Sequence, residues 1–360
     1  MNAPAALHDL GQSLWLDNIT RDLLESGTLA RYVAELSVTG LTSNPTIYDK
    51  AIGGSSAYDD AVRSANARGL DAEATFFELA LDDLTHAADL FRPIHDRTCG
   101  VDGFVSLEVS PLLAYDAAAT AAEAVRLHAA GGRPNLFIKI PGTPEGLPAI
   151  EDSIAAGVPV NVTLLFSPAQ YLACMDAYTR GVERRVAAGL PPYVASVASF
   201  FVSRWDAAIS SKVPGELKNG LGLAIGAKAD ADYRAYFASD RWGRLMNEGA
   251  RPQRLLFAST GTKDPAASAV LYISGLAAPH TVNTMPEETL LHFADHGTVP
   301  GALSADPAEA DAALARYTAA GIDIDALGHE LQTKGAESFV GSWTSLLARI
   351  VSKAAQVAAG

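Results

Sequence analysis

The sequence predicts an α/β protein, a single (β/α)8 TIM barrel with additional helices. Eight short runs rich in Val, Ile, Leu and Phe recur along the 360 residues, and helical, Ala-rich patterns separate them. Near-continuous apolar strands that alternate with helices are typical of a parallel sheet covered on both faces. Eight such units match a closed barrel. No Pro-rich or Ser/Gly-rich linker divides the chain, so we expect one domain over 1–360.

The predicted strands follow one another in a regular order. They cover 13–19, 37–44, 104–110, 136–141, 158–166, 193–199, 254–260 and 280–285. Helical patterns separate them, such as TAAEAVRLHAAG at 120–131 and PAQYLACMDAYTRGVERRVAAG at 168–189. The second pattern runs into Gly-Leu-Pro-Pro, which is a helix stop signal. The length beyond the roughly 250 residues typical of this fold falls in helical insertions near 51–103 and 205–250, and in C-terminal helices near 303–360.

Composition excludes several classes of partner. The net charge of -14 argues against broad attraction to nucleic acid or to an anionic membrane surface. The start of the chain, MNAPAALHDLGQS, lacks a basic region followed by an apolar one, and no apolar run approaches the roughly 20 residues that span a bilayer. We therefore expect a cytoplasmic protein, and both a monomer and a homodimer stay open. Cys99 and Cys174 are too few and too isolated to form a disulfide framework or a thiolate zinc site.

Polar side chains interrupt several of the apolar strands. The strands carry Asp17, Thr42, Ser43, Asn44, Glu108, Lys139, Asn161 and Thr163. Any one of them is equally compatible with a strand end that reaches water. The carboxyl ends of barrel strands, however, converge on the mouth where such enzymes perform their chemistry. The set as a whole therefore predicts an active site.

Lys139 lies between Ile138 and Ile140 in a strand that reads as buried. A buried lysine must lose its charge or find a carboxylate. A neutral lysine amine can attack a carbonyl carbon, and the protonated imine that forms withdraws electrons from the neighbouring carbon-carbon bond. The alternative is a structural ion pair with Asp17 or Glu108. Two carboxylates favour catalysis, because imine chemistry needs a proton shuttle through water and bond cleavage needs a separate base.

Six motifs carry a resemblance to a known family. In order, they are LWLDNI, GLTSNPTIY, VSLEVSP, FIKIPGTPEG, VNVTLLFS and ASFFVSRWD. The sequence resembles transaldolases, the lysine-dependent enzymes of the pentose phosphate pathway. The resemblance implies transfer of a dihydroxyacetone unit from a ketose phosphate, fructose 6-phosphate or sedoheptulose 7-phosphate, to an aldose phosphate through a lysine Schiff base. It implies small-molecule sugar phosphates as partners, and neither a cofactor nor a metal.

The resemblance also implies roles for individual residues. Lys139 resembles the Schiff-base lysine and Asp17 the acid/base for the substrate hydroxyl, while Glu108 and Thr163 resemble the pair that holds the catalytic water. The residues that resemble substrate contacts are Asn44, Asn161, Thr42, Ser106 and Ser199. Arg204 resembles a phosphate-binding arginine, a role that its fixed fork of donors suits. The alternative for Arg204 is a surface arginine paired with Asp206 or another carboxylate.

One departure from the family concerns the second phosphate group. Many members place an arginine two residues after a serine at the end of the seventh strand. Here that serine is Ser259, and Thr260, Gly261, Thr262 and Lys263 follow it. We expect Lys263 or the backbone amides of this STGTK loop to take the role, since barrels often hold phosphate after strand 7. A solvated loop lysine is the alternative, and the pattern of a nucleotide P-loop is incomplete.

Phe201 distinguishes two related activities. In related barrels that act as free aldolases, a tyrosine is found near this place. The phenylalanine of this sequence resembles the transferase pattern instead. A free Schiff-base aldolase of fructose 6-phosphate therefore remains the first alternative, and a non-catalytic sugar-phosphate-binding barrel the second. A metal hydrolase is not indicated, because His292 and His296 fall in a polar helix after the last strand. A nicotinamide cofactor is not indicated either, since no GxGxxG follows a strand.

Overall fold

The computed structural model describes residues 2–359, and its centre is an eight-stranded parallel sheet that forms a nearly closed barrel. The strands are β1 Ser13–Asp17, β2 Val38–Thr42, β3 Val105–Glu108, β4 Leu136–Pro141, β5 Val160–Leu165, β6 Ser196–Phe201, β7 Arg254–Ala258 and β8 Val282–Met285. Their spatial order is β2-β1-β8-β7-β6-β5-β4-β3. The predicted fold class is confirmed.

Helices surround the barrel. Within residues 2–359 they are α1 Ala3–Leu10, α2 Arg21–Glu25, α3 Thr28–Glu35, α4 Pro45–Gly54, α5 Asp59–Ala67, α6 Ala72–Arg97, α7 Ala117–Gly131, α8 Gly146–Ala156, α9 Pro168–Ala187, α10 Ser203–Ile209, α11 Leu221–Phe237, α12 Asp240–Asn247, α13 Leu271–Gly275, α14 Glu287–His296, α15 Pro307–Ala319 and α16 Ile324–Ala359. Short 3-10 turns lie at Ser56–Tyr58, Pro111–Leu113 and Gly215–Leu217. Among the described helices, none combines the length and the apolar composition needed to cross a bilayer.

Local sequence explains where the helices begin. Ser167 caps α9 in a capping box with Gln170, and Pro168 occupies the first turn, where its missing N–H costs nothing. Asn44 caps α4 through a hydrogen bond that its side chain accepts from the amide of Ile47. Asn44 therefore lies outside the strand predicted for 37–44, because its side chain satisfies a helical amide and Pro45 continues as the first helical residue.

The strand boundaries differ most from expectation at β6. The predicted strand was 193–199, but the observed one is Ser196–Phe201. Pairing with β7 continues to Phe201, which lies opposite Ala258. Tyr193 instead lies below the sheet, and its hydroxyl donates a hydrogen bond to the carbonyl of Gly100. This shift places Ser199 and Phe201 inside the strand, with both side chains on the mouth cavity described below.

The barrel closes between β2 and β3 through a few direct contacts. The amide of Leu41 donates to the carbonyl of Phe104 at 3.0 Å, and Ser43 Oγ donates to the carbonyl of Ser106 at 2.8 Å. Gly40 makes this approach possible, because a Cβ there would lie 2.6 Å from the oxygen of Phe104. The closure brings the ends of β1, β2, β3 and β4 around one space.

Aromatic side chains fill the lower part of the barrel. The ring of Phe137 stacks on that of Phe104 at 4.1 Å and lies 6.1 Å from that of Trp15. The indole of Trp15 donates to Asp102 at 2.8 Å, so the buried N–H is satisfied. The carboxyl ends of the strands, where parallel barrels hold their active sites, lie at the opposite end.

Helix α16 crosses the mouth of the barrel. Gln332 on this helix donates to the carbonyls of Gly142 and Leu164, both at 2.9 Å. Further along, Ser345 donates to Asp49 at 2.8 Å, and the ring of Trp343 packs edge-on against that of Phe76. The C-terminal helix is therefore part of the barrel's upper surface.

Candidate active site

Lys139 lies inside the barrel on β4 and is 5% exposed. Its neighbour across the sheet is Glu108 on β3. The Nζ atom lies 3.3 Å from Glu108 Oε2 and donates at 3.3 Å to the carbonyl of Ser43. A buried ammonium needs such acceptors. Of the two carboxylates considered as partners of Lys139, Glu108 forms the ion pair.

Burial changes the acidity of both carboxyl groups near the lysine. Desolvation raises the pKa of Glu108, and the nearby charge of Lys139 opposes this rise. Desolvation also raises the pKa of Asp17, while Lys139, the hydrogen bond from Thr42 and the charge of Lys263 oppose it. A raised pKa brings a carboxyl group closer to the range where it can both accept and give a proton. Both groups are therefore suited to proton transfer.

Two buried side-chain oxygens of the predicted site have no hydrogen-bond partner among the described residues. They are Glu108 Oε1 and Thr163 Oγ1, and both side chains are buried. Burying a polar atom without a partner costs free energy. These two atoms are therefore suited to form hydrogen bonds with a small polar reactant. Thr163 lies on β5, where the pairing with β6 is irregular and Leu164 has a φ of 62°.

A chain of hydrogen bonds connects three predicted contact residues. Ser199 Oγ donates to Asn161 Oδ1 at 2.7 Å, and Asn161 Nδ2 donates to Ser106 Oγ at 3.0 Å. The three side chains come from β6, β5 and β3. The chain fixes the amide orientation of Asn161, which lies deeper in the barrel than the open cavity.

A cavity of about 360 Å³ opens above Lys139 at the carboxyl ends of the strands. Nine residues predicted from the sequence line it, namely Asp17, Thr42, Asn44, Lys139, Ser199, Phe201, Arg204, Ser259 and Lys263. The other four, Ser106, Glu108, Asn161 and Thr163, are buried beneath it. The structure thus brings all the predicted site residues to one end of the barrel.

The cavity is rich in positive charge although the protein is acidic. Lys50, Lys139, Arg204 and Lys263 line it, whereas Asp17 is the one carboxylate that the described part of the chain contributes to the lining. This balance favours an anionic ligand. The loop residue Ser259 has a φ of 54° and shares a hydrogen bond of 3.0 Å with Ser203, the first residue of α10.

Arg204 faces the cavity without a carboxylate partner among residues 2–359. Its guanidinium lies 5.2 Å from the centre of the Phe201 ring, and burial lowers its pKa. Asp206, the partner considered in the alternative reading, accepts hydrogen bonds from the amides of Leu221 and Gly222 and from the hydroxyl of Tyr272. The carboxylate is therefore committed elsewhere, and the donors of Arg204 remain available for an anion.

Several lining residues were missed by the sequence reasoning. Thr284 at the end of β8 shares a hydrogen bond of 2.7 Å with Thr42, and its polar side chain at a strand end was a usable signal. Lys50 and Phe339 lie in helices α4 and α16. Helical patterns show that one face is buried but not what it contacts, so no local signal identified these two.

A parallel barrel whose mouth holds a buried lysine, two carboxylates of raised pKa and a cationic cavity defines a class of protein. It is a lysine-dependent barrel enzyme that acts on anionic carbonyl compounds. The family model for transaldolase/fructose-6-phosphate aldolase matches residues 14–350. The chain belongs to this family.

Curated relatives match this chain over nearly their whole length. A transaldolase of Acidothermus cellulolyticus is 47% identical over 354 residues, covering 96% of this chain and 95% of the relative. A transaldolase of Saccharopolyspora erythraea is 46% identical, with 95% of each chain covered. A transaldolase of Neisseria gonorrhoeae is 43% identical, covering 95% of this chain and 97% of the relative.

Proposed function

We infer that the protein is a transferase that catalyses the transaldolase reaction of the pentose phosphate pathway. It moves a dihydroxyacetone unit from a ketose phosphate to an aldose phosphate through a Schiff base. The family membership supports the reaction. The assignment of this reaction to particular residues rests on one observation, which is that Lys139 is buried beside Glu108 at the floor of a cationic cavity.

We propose that Lys139 attacks the ketose carbonyl and loses water to form the imine. Glu108 and Thr163 would hold the water that carries protons in this step and in the final hydrolysis. Their support is that Glu108 Oε1 and Thr163 Oγ1 are buried without hydrogen-bond partners among the described residues, and that Glu108 pairs with the lysine. The ion pair with Glu108 would hold the amine in position before substrate arrives.

Asp17 would take the proton of the substrate hydroxyl while the carbon-carbon bond breaks. The bonding electrons move into the protonated imine, and an aldose phosphate leaves. In the second half of the reaction, the enamine attacks the aldehyde of the acceptor, and Asp17 returns the proton to the new alkoxide. The raised pKa of Asp17 and its place in the cavity lining support this role.

The remaining lining residues would bind the sugar phosphate. Arg204 would bind the phosphate, with Lys263 or the amides around Ser259 as the second group. Thr42, Asn44 and Ser199 would contact substrate hydroxyl groups directly. Asn161 and Ser106 would support Ser199 from below through their hydrogen bonds.

The proposal is tested by borohydride reduction with fructose 6-phosphate, followed by intact mass and peptide mapping. We expect a three-carbon adduct on Lys139, and neither adduct nor turnover in Lys139→Met. Lys334→Met is the matched control, because Lys334 is an exposed lysine on α16 paired with Glu330. A folded wild type that binds sugar phosphate without forming an adduct would favour the non-catalytic barrel instead.

A second measurement separates transfer from free aldol cleavage. Adding a four-carbon aldose phosphate should yield a seven-carbon ketose phosphate faster than free dihydroxyacetone appears. Phe201 supports this expectation, because a phenyl ring in the lining offers no hydroxyl to activate water. Release that outpaces transfer would instead identify a free aldolase.

We further propose a cytoplasmic location, on the grounds of composition. Cell fractionation would test it. Both a monomer and a homodimer are compatible with the proposed site, since every residue assigned to it comes from one chain. Sedimentation of the purified protein would decide between them.

A further inference from the structure

The aromatic ring of Phe339 lies against the reactive end of Lys139. Its centroid is 5.6 Å from Lys139 Nζ, within the distance at which an ammonium is attracted to a ring face. Both residues line the mouth cavity, and Phe339 is 9% exposed. The Nζ atom of Lys139 is thus paired with a carboxylate, Glu108, and also lies near an apolar ring, Phe339.

The position of this ring is determined by a helix anchored on both sides of it. Before Phe339, the amide of Gln332 donates to two carbonyls of the β4 and β5 ends at 2.9 Å. After it, Ser342 accepts a hydrogen bond of 2.9 Å from Thr46, and Ser345 donates to Asp49. The ring is therefore held over the lysine as a fixed part of the mouth.

We propose that Phe339 limits the access of bulk water to Lys139 and thereby directs the three-carbon intermediate toward transfer. The inference rests on the proposed function. After cleavage, the dihydroxyacetone unit stays bound to Lys139 and has two fates. In transfer, its enamine carbon forms a bond with the acceptor aldehyde. In release, the enamine carbon first takes up a proton to give the imine, water then adds to the imine carbon, the C–N bond breaks, and free dihydroxyacetone and the lysine amine are regenerated.

An apolar cover affects these two fates differently. The carbon-carbon bond-forming step of transfer needs only the acceptor and a proton from Asp17, and the ketose imine that results is then hydrolysed by the single water proposed to be held by Glu108 and Thr163. Unproductive release before the acceptor arrives needs a water molecule beside the imine. A ring near the Nζ atom of Lys139 removes one approach for that water and leaves the pairing with Glu108 unchanged.

The test measures the ratio of dihydroxyacetone release to ketose phosphate formation, with fructose 6-phosphate as donor and a four-carbon aldose phosphate as acceptor. In Phe339→Ala we expect this ratio to rise about tenfold, which corresponds to about 1.4 kcal/mol between the two competing barriers. In Phe339→Leu, which keeps an apolar side chain, we expect a smaller rise. Leu347→Ala is the matched control, because it shortens a partly buried apolar residue of the same helix outside the cavity lining.

The outcomes are distinguishable. A raised ratio in Phe339→Ala with an unchanged ratio in Leu347→Ala supports the inference. An unchanged ratio in a folded, active Phe339→Ala overturns it, as does an equal rise in Leu347→Ala, which would point to loosening of the whole helix. If Phe339→Ala does not fold, an unchanged ratio in Phe339→Leu overturns it. The borohydride adduct on Lys139 separates this inference from the proposed function. If the wild type forms the adduct, an unchanged ratio contradicts only the role of Phe339. If the wild type forms no adduct, the proposed function itself is contradicted.

Discussion

At the scale of single residues, the hydrogen bond between Thr42 and Asp17 controls an acid/base group. Thr42 Oγ1 donates to Asp17 Oδ1 at 2.7 Å, and this bond favours the carboxylate form. Burial acts in the opposite direction and raises the pKa of Asp17. These two effects, together with the charges of Lys139 and Lys263 that lower the pKa, determine the pH range in which Asp17 can serve as a base.

Replacing Thr42 by valine should move the acid limb of the pH profile of kcat/KM to higher pH. The change removes one influence that lowers the pKa of Asp17, so the pKa rises further. A base works only when deprotonated, so activity is present above its pKa and is lost as pH falls through it. Thr42→Ser keeps the hydroxyl and should retain the wild-type limb. An unmoved limb in Thr42→Val would contradict the role of Asp17 as the base.

Arg204 allows a second prediction at this scale. Removing a hydrogen-bond donor to a charged group costs about 1.5–3 kcal/mol, so Arg204→Ala should raise the KM for fructose 6-phosphate by roughly 10- to 150-fold. Imine formation with fructose, which carries no phosphate, should be affected much less. The same pair of measurements on Lys263→Ala shows whether Lys263 is the second phosphate group. Equal losses for both sugars would contradict a phosphate role.

At the scale of elements, the end of β5 depends on helix α16. Leu164 adopts a φ of 62°, a left-handed conformation that costs an L-residue about 1–2 kcal/mol. Its carbonyl accepts a hydrogen bond from Gln332, whose amide also reaches Gly142. Since Leu164 follows Thr163 directly, Gln332 supports the backbone that carries one of the proposed water-binding residues.

Gln332→Ala should therefore lower the free energy of unfolding by about 1–3 kcal/mol, because two buried carbonyls lose their partner. Thr333→Ala is the control, since Thr333 is an exposed neighbour on the same helix and surface changes usually stay within about 0.5 kcal/mol. Urea unfolding measures both. Similar values for the two variants would show that the Gln332 contacts contribute little.

At the scale of the whole molecule, α16 shares the core of the barrel. Phe339, Trp343, Leu346 and Ile350 belong to the same cluster of buried apolar residues as the strands. We therefore propose that residues 1–360 form one domain, in which the helices near 51–103, 205–250 and 303–360 are additions to a single barrel. The protein has a net charge of -14, but four cationic side chains line the mouth cavity. These local cations favour anionic substrates at that end.

A single domain should unfold in one cooperative step. We expect the urea transitions followed by far-UV circular dichroism and by tryptophan fluorescence to coincide. Fluorescence reports on both the barrel and α16, because Trp15 and Trp343 are each 1% exposed. An earlier fluorescence transition would instead indicate that part of the molecule unfolds separately.

The sequence by itself determined the eight strands, their alternation with helices and the polar residues at the strand ends. These are local signals: a buried strand needs an apolar run, and a lysine such as Lys139 within one is visible without knowing its neighbours. The family motifs also lie within or beside single strands. For this reason residues of the site such as Asp17, Glu108 and Thr163 could be predicted from the sequence.

Only the tertiary structure decided which groups meet across the barrel. It paired Lys139 with Glu108 rather than with Asp17, committed Asp206 to the start of α11, and brought Phe339 and Gln332 from the end of the chain over the mouth. The physical reason is that an amphipathic pattern specifies that a helix face is buried, while its partner depends on how distant elements pack together. The cover of the active site is therefore a property of the folded molecule.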